Sequence, residues 1–392
     1  MIHSGRWSAQ VGKAVVTIVT LVATVGIAFL LLQWIPHQIA DTEARQLMPT
    51  ERLAHLNSVR GMVLQTAGGL AVLGGLVYTA RGYALSRQGH ITERYASAVS
   101  QLSSEHLDAR LGGVFALQRL ASDSSQDETS IAQVLSSFVV RRRPFVEASL
   151  SWHASTPGGS SQPSQNSRLE PDVQAALDVI GSLRKAIRVE LADSDLSSAE
   201  MQRKSFERAD MRRCLLRGSN LSEANLRGAE LGGTDLRGAR LDGTDLTGAH
   251  LAEVDLRSAE IKEAVFTDCV LSSARLGGAW GSSVSLRRTD LFSANLDGAR
   301  LDGADLREAT LISASLSRAD LTGADLSGAD VSGANFSGAV LVSANLSSTQ
   351  SLTHEQLNSA VLSELTRLPA NLAHLLSNRG TLGEPRIGIV IT

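Results

Sequence analysis

From Phe206 to Leu346 every fifth residue is Leu, Phe, Met, Ile or Val, with Gly281 the single exception. Two residues before each of these the chain carries Ala or another small residue almost every time. A period of five matches neither the 3.6 of a helix nor the 2 of a strand, so ordinary amphipathic elements cannot produce it. The pattern predicts a solenoid, in which each unit is too small to bury its own apolar side chain and stacking supplies the partner. Strings such as Ala224-Asn225-Leu226-Arg227-Gly228 and Ala304-Asp305-Leu306-Arg307-Glu308 are its units.

These units resemble the pentapeptide-repeat family, whose consensus is Ala-(Asp/Asn)-Leu-x-x. The resemblance covers 206–346 and extends back to Leu196 and Leu191, which share the phase. It implies a mainly β solenoid, a right-handed quadrilateral parallel β-helix in which four pentapeptides make one coil. The central Leu and the small residue before it would face inward, making Leu226, Leu246, Leu306 and Leu326 core residues. Cys214 and Cys269 occupy the small inward position, on different faces, where they cannot reach disulfide distance. With aromatic residues at 4% of the chain, the interior is expected to have no space for large rings. Coils spaced by about 4.8 Å give a rod of about 35 Å. At Gly281 the expectation is a thin spot or a small outward loop.

Ahead of the repeats the hydrophobic pattern changes twice. Ala14–Ile35 and Met62–Ala80 are uncharged apolar runs, the first as long as a bilayer core requires. They predict a transmembrane α-hairpin within 1–88, with spans at about 14–35 and 62–80. Gly68, Gly69, Gly74 and Gly75 would let the two helices pack closely. Basic residues flank the hairpin and also lie in its connection, as Arg45, Arg52 and Arg60, so charge orients it only modestly; the unpaired cysteines favour cytoplasmic termini, a cytoplasmic repeat domain and location at the cell membrane. Helical spacing then returns over a module at 89–145, in Tyr95-Ala98-Val99-Leu102, Leu111-Val114-Phe115-Leu117-Leu120 and Ile131-Val134-Leu135-Phe138. Residues 146–170 read as a flexible linker and 171–190 as a helix that caps the first coil. The β-helix proper is placed at 191–349, followed at 350–392 by a C-terminal capping helix and tail. The order of anchor, helical module and repeats is similar to that of bacterial membrane-anchored members of the family.

Candidate chemistry is sparse. The nine histidines show no metal-ligand spacing, and no phosphate-cradling glycine motif occurs. The aspartates before each Leu sit at an outward position, without the desolvation an acid–base pair needs. No enzyme, cofactor or metal is expected. The surface columns, residues twenty apart, carry what remains. One reads Arg217, Arg237, Arg257; another reads Arg240, Glu260, Trp280, Arg300, Asp320; Phe292 and Ile312 stack on a third face. Trp280, Phe292 and Ile312 are the candidate protein-docking patch, with Trp280 beside Arg300 for a cation–π contact.

The expected function is a membrane-anchored interaction scaffold. It would contact lipid through the hairpin and an unidentified protein partner through the rod. A second copy of the chain, as a homodimer, is the other candidate partner. The alternative is a DNA-mimic modulator of a type II topoisomerase, as in the quinolone-resistance members of the family. Mimicry needs a strongly negative surface, whereas net charge here is −3 and Arg is mixed with Asp along the repeats. Nucleic acid is not expected as a ligand, although the Arg141-Arg142-Arg143 triplet is where a contact would be sought.

Overall fold

The computed structural model describes residues 49–145, 169–184 and 187–375. The expected span at 14–35, most of the expected linker and the tail beyond 375 lie outside the described residues. The chain divides into two compact units between Thr92 and Glu93.

Helix α1, Pro49–Leu102, runs without a break through position 88, where a boundary is expected. Its stretch Asn57–Tyr83 has 27 residues, a mean hydropathy of 1.4 and no buried residue in its apolar window. At 1.5 Å per residue that is about 40 Å, more than the roughly 30 Å hydrocarbon core of a bilayer. Leu70, Leu73, Leu76 and Val77 are all exposed, Leu70 to 67%. Gly61, Gly68, Gly75 and Gly82 recur at intervals of seven, and a Cβ added at any of them would meet nothing within 4 Å.

In the second unit, α2 (Leu107–Asp123) and α3 (Glu128–Arg142) pack with α4 (Pro171–Ile180). Their shared core is Val114, Leu117, Ile131, Leu135, Phe138, Val173 and Leu177. Phe115, which helical spacing groups with this core, points instead to solvent. Gly113 lets the last turns of α1 approach, since a Cβ there would lie 2.8 Å from the Ala98 carbonyl oxygen. Buried Arg110 donates from Nε to Asp172 Oδ2 at 2.5 Å and from Nη1 to the Glu105 carbonyl at 2.7 Å, tying α2 to the start of α4.

The coil that follows is built from single-residue parallel bridges, each between residues twenty apart, from Glu190↔Asp210 through Asp330↔Gln350. Twenty residues per coil means four pentapeptides per coil. Each unit closes the same bonds: Leu226 N–H donates to the Asp245 carbonyl above, and Ala229 N–H to the Leu226 carbonyl at the corner. Every fifth residue from Asp193 to Ser343 has positive φ, between 54° and 76°. That is the left-handed region in which glycine has no Cβ penalty; at Gly328 φ reaches 76°. Non-glycine corners are tied across coils, as in Arg213–Asp193 at 2.6 Å, Arg203–Glu223 at 2.8 Å and Arg288–Asp268 at 2.6 Å.

Leu226, Leu246, Leu306 and Leu326 are fully buried, each contributing about 1.5–3 kcal/mol by area. The expectation that large rings do not fit is wrong. Phe206, Phe266 and Phe336 sit at central positions and are among the largest fully buried side chains. Cys214 and Cys269 are buried and free, donating from Sγ to the carbonyls of Leu191 at 3.0 Å and Leu246 at 2.9 Å. Burial pushes their thiols up to about 11 and about 12 respectively, so both stay protonated at neutral pH. No outward loop forms at Gly281. Its N–H donates to the Arg300 carbonyl at 3.0 Å, and a Cβ would lie 2.4 Å from Lys262 N. Without a side chain to bury, the backbone sinks against the coil beneath.

Both open ends of the stack are covered, which removes the edge-pairing hazard of a bare terminal strand. At the first coil, residues 143–145 add an antiparallel edge: the Arg143 carbonyl accepts from Asp195 N, and Phe145 N donates to the Asp193 carbonyl. At the other end Thr353 and Gln356 form a capping box on the short helix α5 (His354–Leu357). Gln356 Nε2 then donates to the carbonyls of Val331 and Ala334, and Val361 and Arg367 pair with Val340 and Asn345.

Candidate functional site

The aspartates and asparagines before each Leu have a role that the sequence pattern alone leaves unassigned. In unit after unit the side-chain Oδ1 accepts the backbone N–H two residues on, as Asp235 does from Arg237, Asp245 from Thr247, Asn295 from Asp297 and Asp325 from Ser327. This Asx turn satisfies a backbone donor on the outside of a tube that has no other partner for it. The carboxylate is therefore a fold element first and a surface charge second.

Where Arg follows Asp by two, the same carboxylate also receives the guanidinium. Arg237 lies 2.7 Å from Asp235, Arg257 lies 2.6 Å from Asp255, and Arg307 lies 2.6 Å from Asp305. Arg217 reaches up one coil to Asp235 at 2.5 Å, and Arg237 stands 3.8 Å from Asp255. The column Arg217, Arg237, Arg257 is thus an alternating Arg–Asp ladder in which three arginines share the two aspartates Asp235 and Asp255. Burial pushes the Asp235 carboxyl up, but hydrogen bonds from Arg237 and Arg217 outweigh it and hold the group below the usual carboxylate range.

The candidate docking residues are placed apart. Trp280 bridges Glu260 below and Arg300 above and is 45% exposed. Phe292, 48% exposed, shares a column with half-buried Ile312, its neighbour one coil on. Two pentapeptides separate the Trp280 unit from the Phe292 unit, which is half a coil of four. Trp280 and the Phe292–Ile312 pair therefore lie on opposite faces, and a single patch holding all three cannot form.

A feature that sequence reasoning missed is a groove of about 860 Å³ between α3 and the opening coil. Its walls include Gln133, Ser137 and Arg141 from α3 and Arg188, Glu190 and Arg212 from the coil. The Arg141-Arg142-Arg143 triplet was the available signal, but no local pattern tells which coil a helix lies against. The structure splits the triplet. Arg143 binds Asp195 at 2.9 Å and Glu170 at 3.3 Å, Arg142 stands 3.9 Å from Asp172, and Arg141 lines the groove. Among the described residues no group of three His, Cys, Asp or Glu side chains is placed to hold a metal ion.

The family model for pentapeptide repeats matches in eight copies, over 190–228, 214–251, 249–280, 285–323 and 319–350. The chain belongs to the pentapeptide-repeat family. Its coil is accordingly the right-handed quadrilateral β-helix of that family, preceded by a helical region. No curated protein matches the chain. Among solved pentapeptide-repeat structures, HetL from the cyanobacterium Nostoc sp. strain PCC 7120, involved in heterocyst differentiation regulation, is 30% identical. That match covers 46% of this chain and 85% of HetL, with a TM-score of 0.32. QnrB1, a plasmid-mediated fluoroquinolone resistance protein, is 20% identical over 50% of this chain and 99% of its own, with a TM-score of 0.44. Rfr23 from the cyanobacterium Cyanothece 51142 is 28% identical over 29% of this chain and 63% of its own, with a TM-score of 0.22.

Proposed function

We propose that this pentapeptide-repeat protein is a membrane-anchored, non-enzymatic scaffold that presents its rigid coil and helical module to a protein partner. The observation that carries the reading is the exposed apolar stretch Asn57–Tyr83. Side chains such as Leu64, Leu70, Leu73 and Leu76 stand in solvent along a helix long enough to span a bilayer, and a contiguous apolar surface of that kind needs a non-aqueous cover. The seven-residue recurrence of Gly61, Gly68, Gly75 and Gly82 supports close packing of a second helix, which the apolar segment 14–35 would supply in a hairpin. The free thiols of Cys214 and Cys269 support cytoplasmic termini, since a reducing compartment keeps thiols unpaired.

The coil surface supports presentation rather than chemistry. Asp235 and Asp305 each close an Asx turn and an Arg pair, and those hydrogen bonds hold both carboxyls below the usual carboxylate range, which does not suit proton transfer near neutral pH. The same pairing favours the scaffold over DNA mimicry, because arginines stand against the aspartates that a continuous acidic face would require. Membrane fractionation combined with proximity labelling from the C-terminus tests the proposal. Recovery of full-length chain in the membrane fraction with a reproducible set of neighbours is expected. Full-length chain in the soluble fraction would remove the basis of the proposal.

A further inference from the structure

We propose that the groove between α3 and the opening coil binds an acidic peptide segment, through Arg141 and Arg188. The inference rests on the reading that the partner is a protein, and it specifies the chemistry by which that partner is recognised.

Three guanidinium groups line the groove, and their commitments differ. Arg212 is spent: it grips nearly buried Asp210 with two hydrogen bonds, at 2.8 and 2.6 Å. Arg188 is 64% exposed and stands 3.9 Å from that same, already occupied carboxylate. Arg141 donates from Nε to the Ser137 carbonyl at 3.2 Å, which anchors the side chain beside the groove and leaves its Nη donors for a ligand. The Gln133 amide and Ser137 hydroxyl lie along the same wall. Elsewhere on the coil Arg217, Arg237, Arg257 and Arg307 are matched to aspartates within 3 Å.

Its size and its carboxylates narrow the ligand. A volume of about 860 Å³ suits an extended ligand rather than a lone anion. Glu190 is exposed in the same groove, and Asp210 lies behind Arg188 and Arg212. A compact dianion seated between the arginines would be repelled by Glu190. Single carboxylates spaced along a peptide can instead straddle it and meet Arg141 and Arg188 one at a time, each as a planar fork that accepts two N–H donors.

The test uses the full-length chain in nonionic detergent and fluorescently labelled hexaglutamate, read by anisotropy at low salt. Arg141→Gln and Arg188→Gln should each weaken binding about tenfold, the worth of one charge-assisted hydrogen-bonded contact. Glu190→Gln should tighten it. Arg227→Gln, which removes an exposed arginine paired with Asp245 at 2.9 Å on another face, should leave it unchanged. Absence of saturable binding, an equal loss in Arg227→Gln, or displacement of the peptide by inorganic phosphate at matched charge would overturn the proposal. The two readings fail separately. A soluble chain that binds hexaglutamate removes the anchor and keeps the groove, whereas a membrane-bound chain that ignores the peptide removes the groove alone.

Discussion

Gln174 on α4 and Glu200 on the opening coil exchange two hydrogen bonds. The Gln174 amide donates to the Glu200 carbonyl at 2.6 Å and accepts from its N–H at 3.0 Å. One side chain thereby imitates the backbone of a missing coil. With the Ser205 N–H bound to the Gly181 carbonyl and Lys204 3.2 Å from Asp178, it joins the capping helix to the first coil. Gln174→Ala should destabilise the protein by about 1 kcal/mol, because water can reach the two backbone groups it exposes. The urea midpoint should fall with an unchanged slope, and amide exchange should quicken at Glu200 before it does in the middle of the stack.

The buried Leu column gives the steepest contrast in the molecule. Leu306 is fully enclosed, whereas Ser317 is a half-buried outward residue two pentapeptides further on. Leu306→Ala should cost about 2–5 kcal/mol through lost burial and the cavity left behind. Ser317→Ala should stay within about 0.5 kcal/mol. Equal melting temperatures for the two variants would contradict the inward register.

Glycine has two different reasons to be in this coil, and substitution separates them. Gly328→Ala meets nothing closer than 3.5 Å but keeps a φ of 76°, so backbone strain alone should cost about 1 kcal/mol. Gly281→Ala has no such φ but places Cβ 2.4 Å from Lys262 N, and should cost about 1–3 kcal/mol as overpacking. Chemical denaturation of both variants measures the difference. A neutral Gly281→Ala would show that the coil there returns to the regular path without strain.

Acid should loosen the coil. Hydrogen bonds from Arg212 and Arg307 hold the carboxyls of Asp210 and Asp305 below their ordinary range, and Arg237 with Arg217 does the same for Asp235 against the opposing push of burial. A carboxyl depressed in the folded state contributes stability that is fully present above its unfolded value. That stability is lost as pH falls through the folded value. The melting temperature should therefore decline on acidification below about pH 4, and Asp235→Asn, which keeps an Asx acceptor but titrates no longer, should flatten that decline. An acid limb as steep in Asp235→Asn as in the parent chain would assign the pH dependence elsewhere.

The coil was legible because a five-residue period survives in one dimension: counting fixes the phase of Leu226, Leu306, Cys214 and Cys269, and the resemblance to pentapeptide repeats points them inward. Physical roles that depend on depth or on the outer backbone were not. Phe266 is fully buried although aromatic residues are rare in the chain, so composition does not tell whether the interior holds a ring. Asp235 and its counterparts read as solvated charges until their Oδ1 atoms are seen on backbone N–H groups. Trp280 and Phe292 fall on separate faces by counting, and the half circuit that two pentapeptides make is what rules out the single docking patch. The groove at Arg141 and Arg188 brings together positions 47 apart on different elements, and no periodicity relates a helix to the coil it flanks.

Partition of the intact protein between membrane and soluble fractions, before and after an alkaline wash, bears most directly on the proposed anchor. An apolar α1 in lipid predicts that the full-length chain stays in the pellet after washing and is released only by detergent. A version in which Leu70, Leu73 and Leu76 are changed to lysine should be displaced toward the soluble fraction. Intact parent chain in the soluble fraction at neutral pH, without detergent, would contradict the membrane-anchored reading.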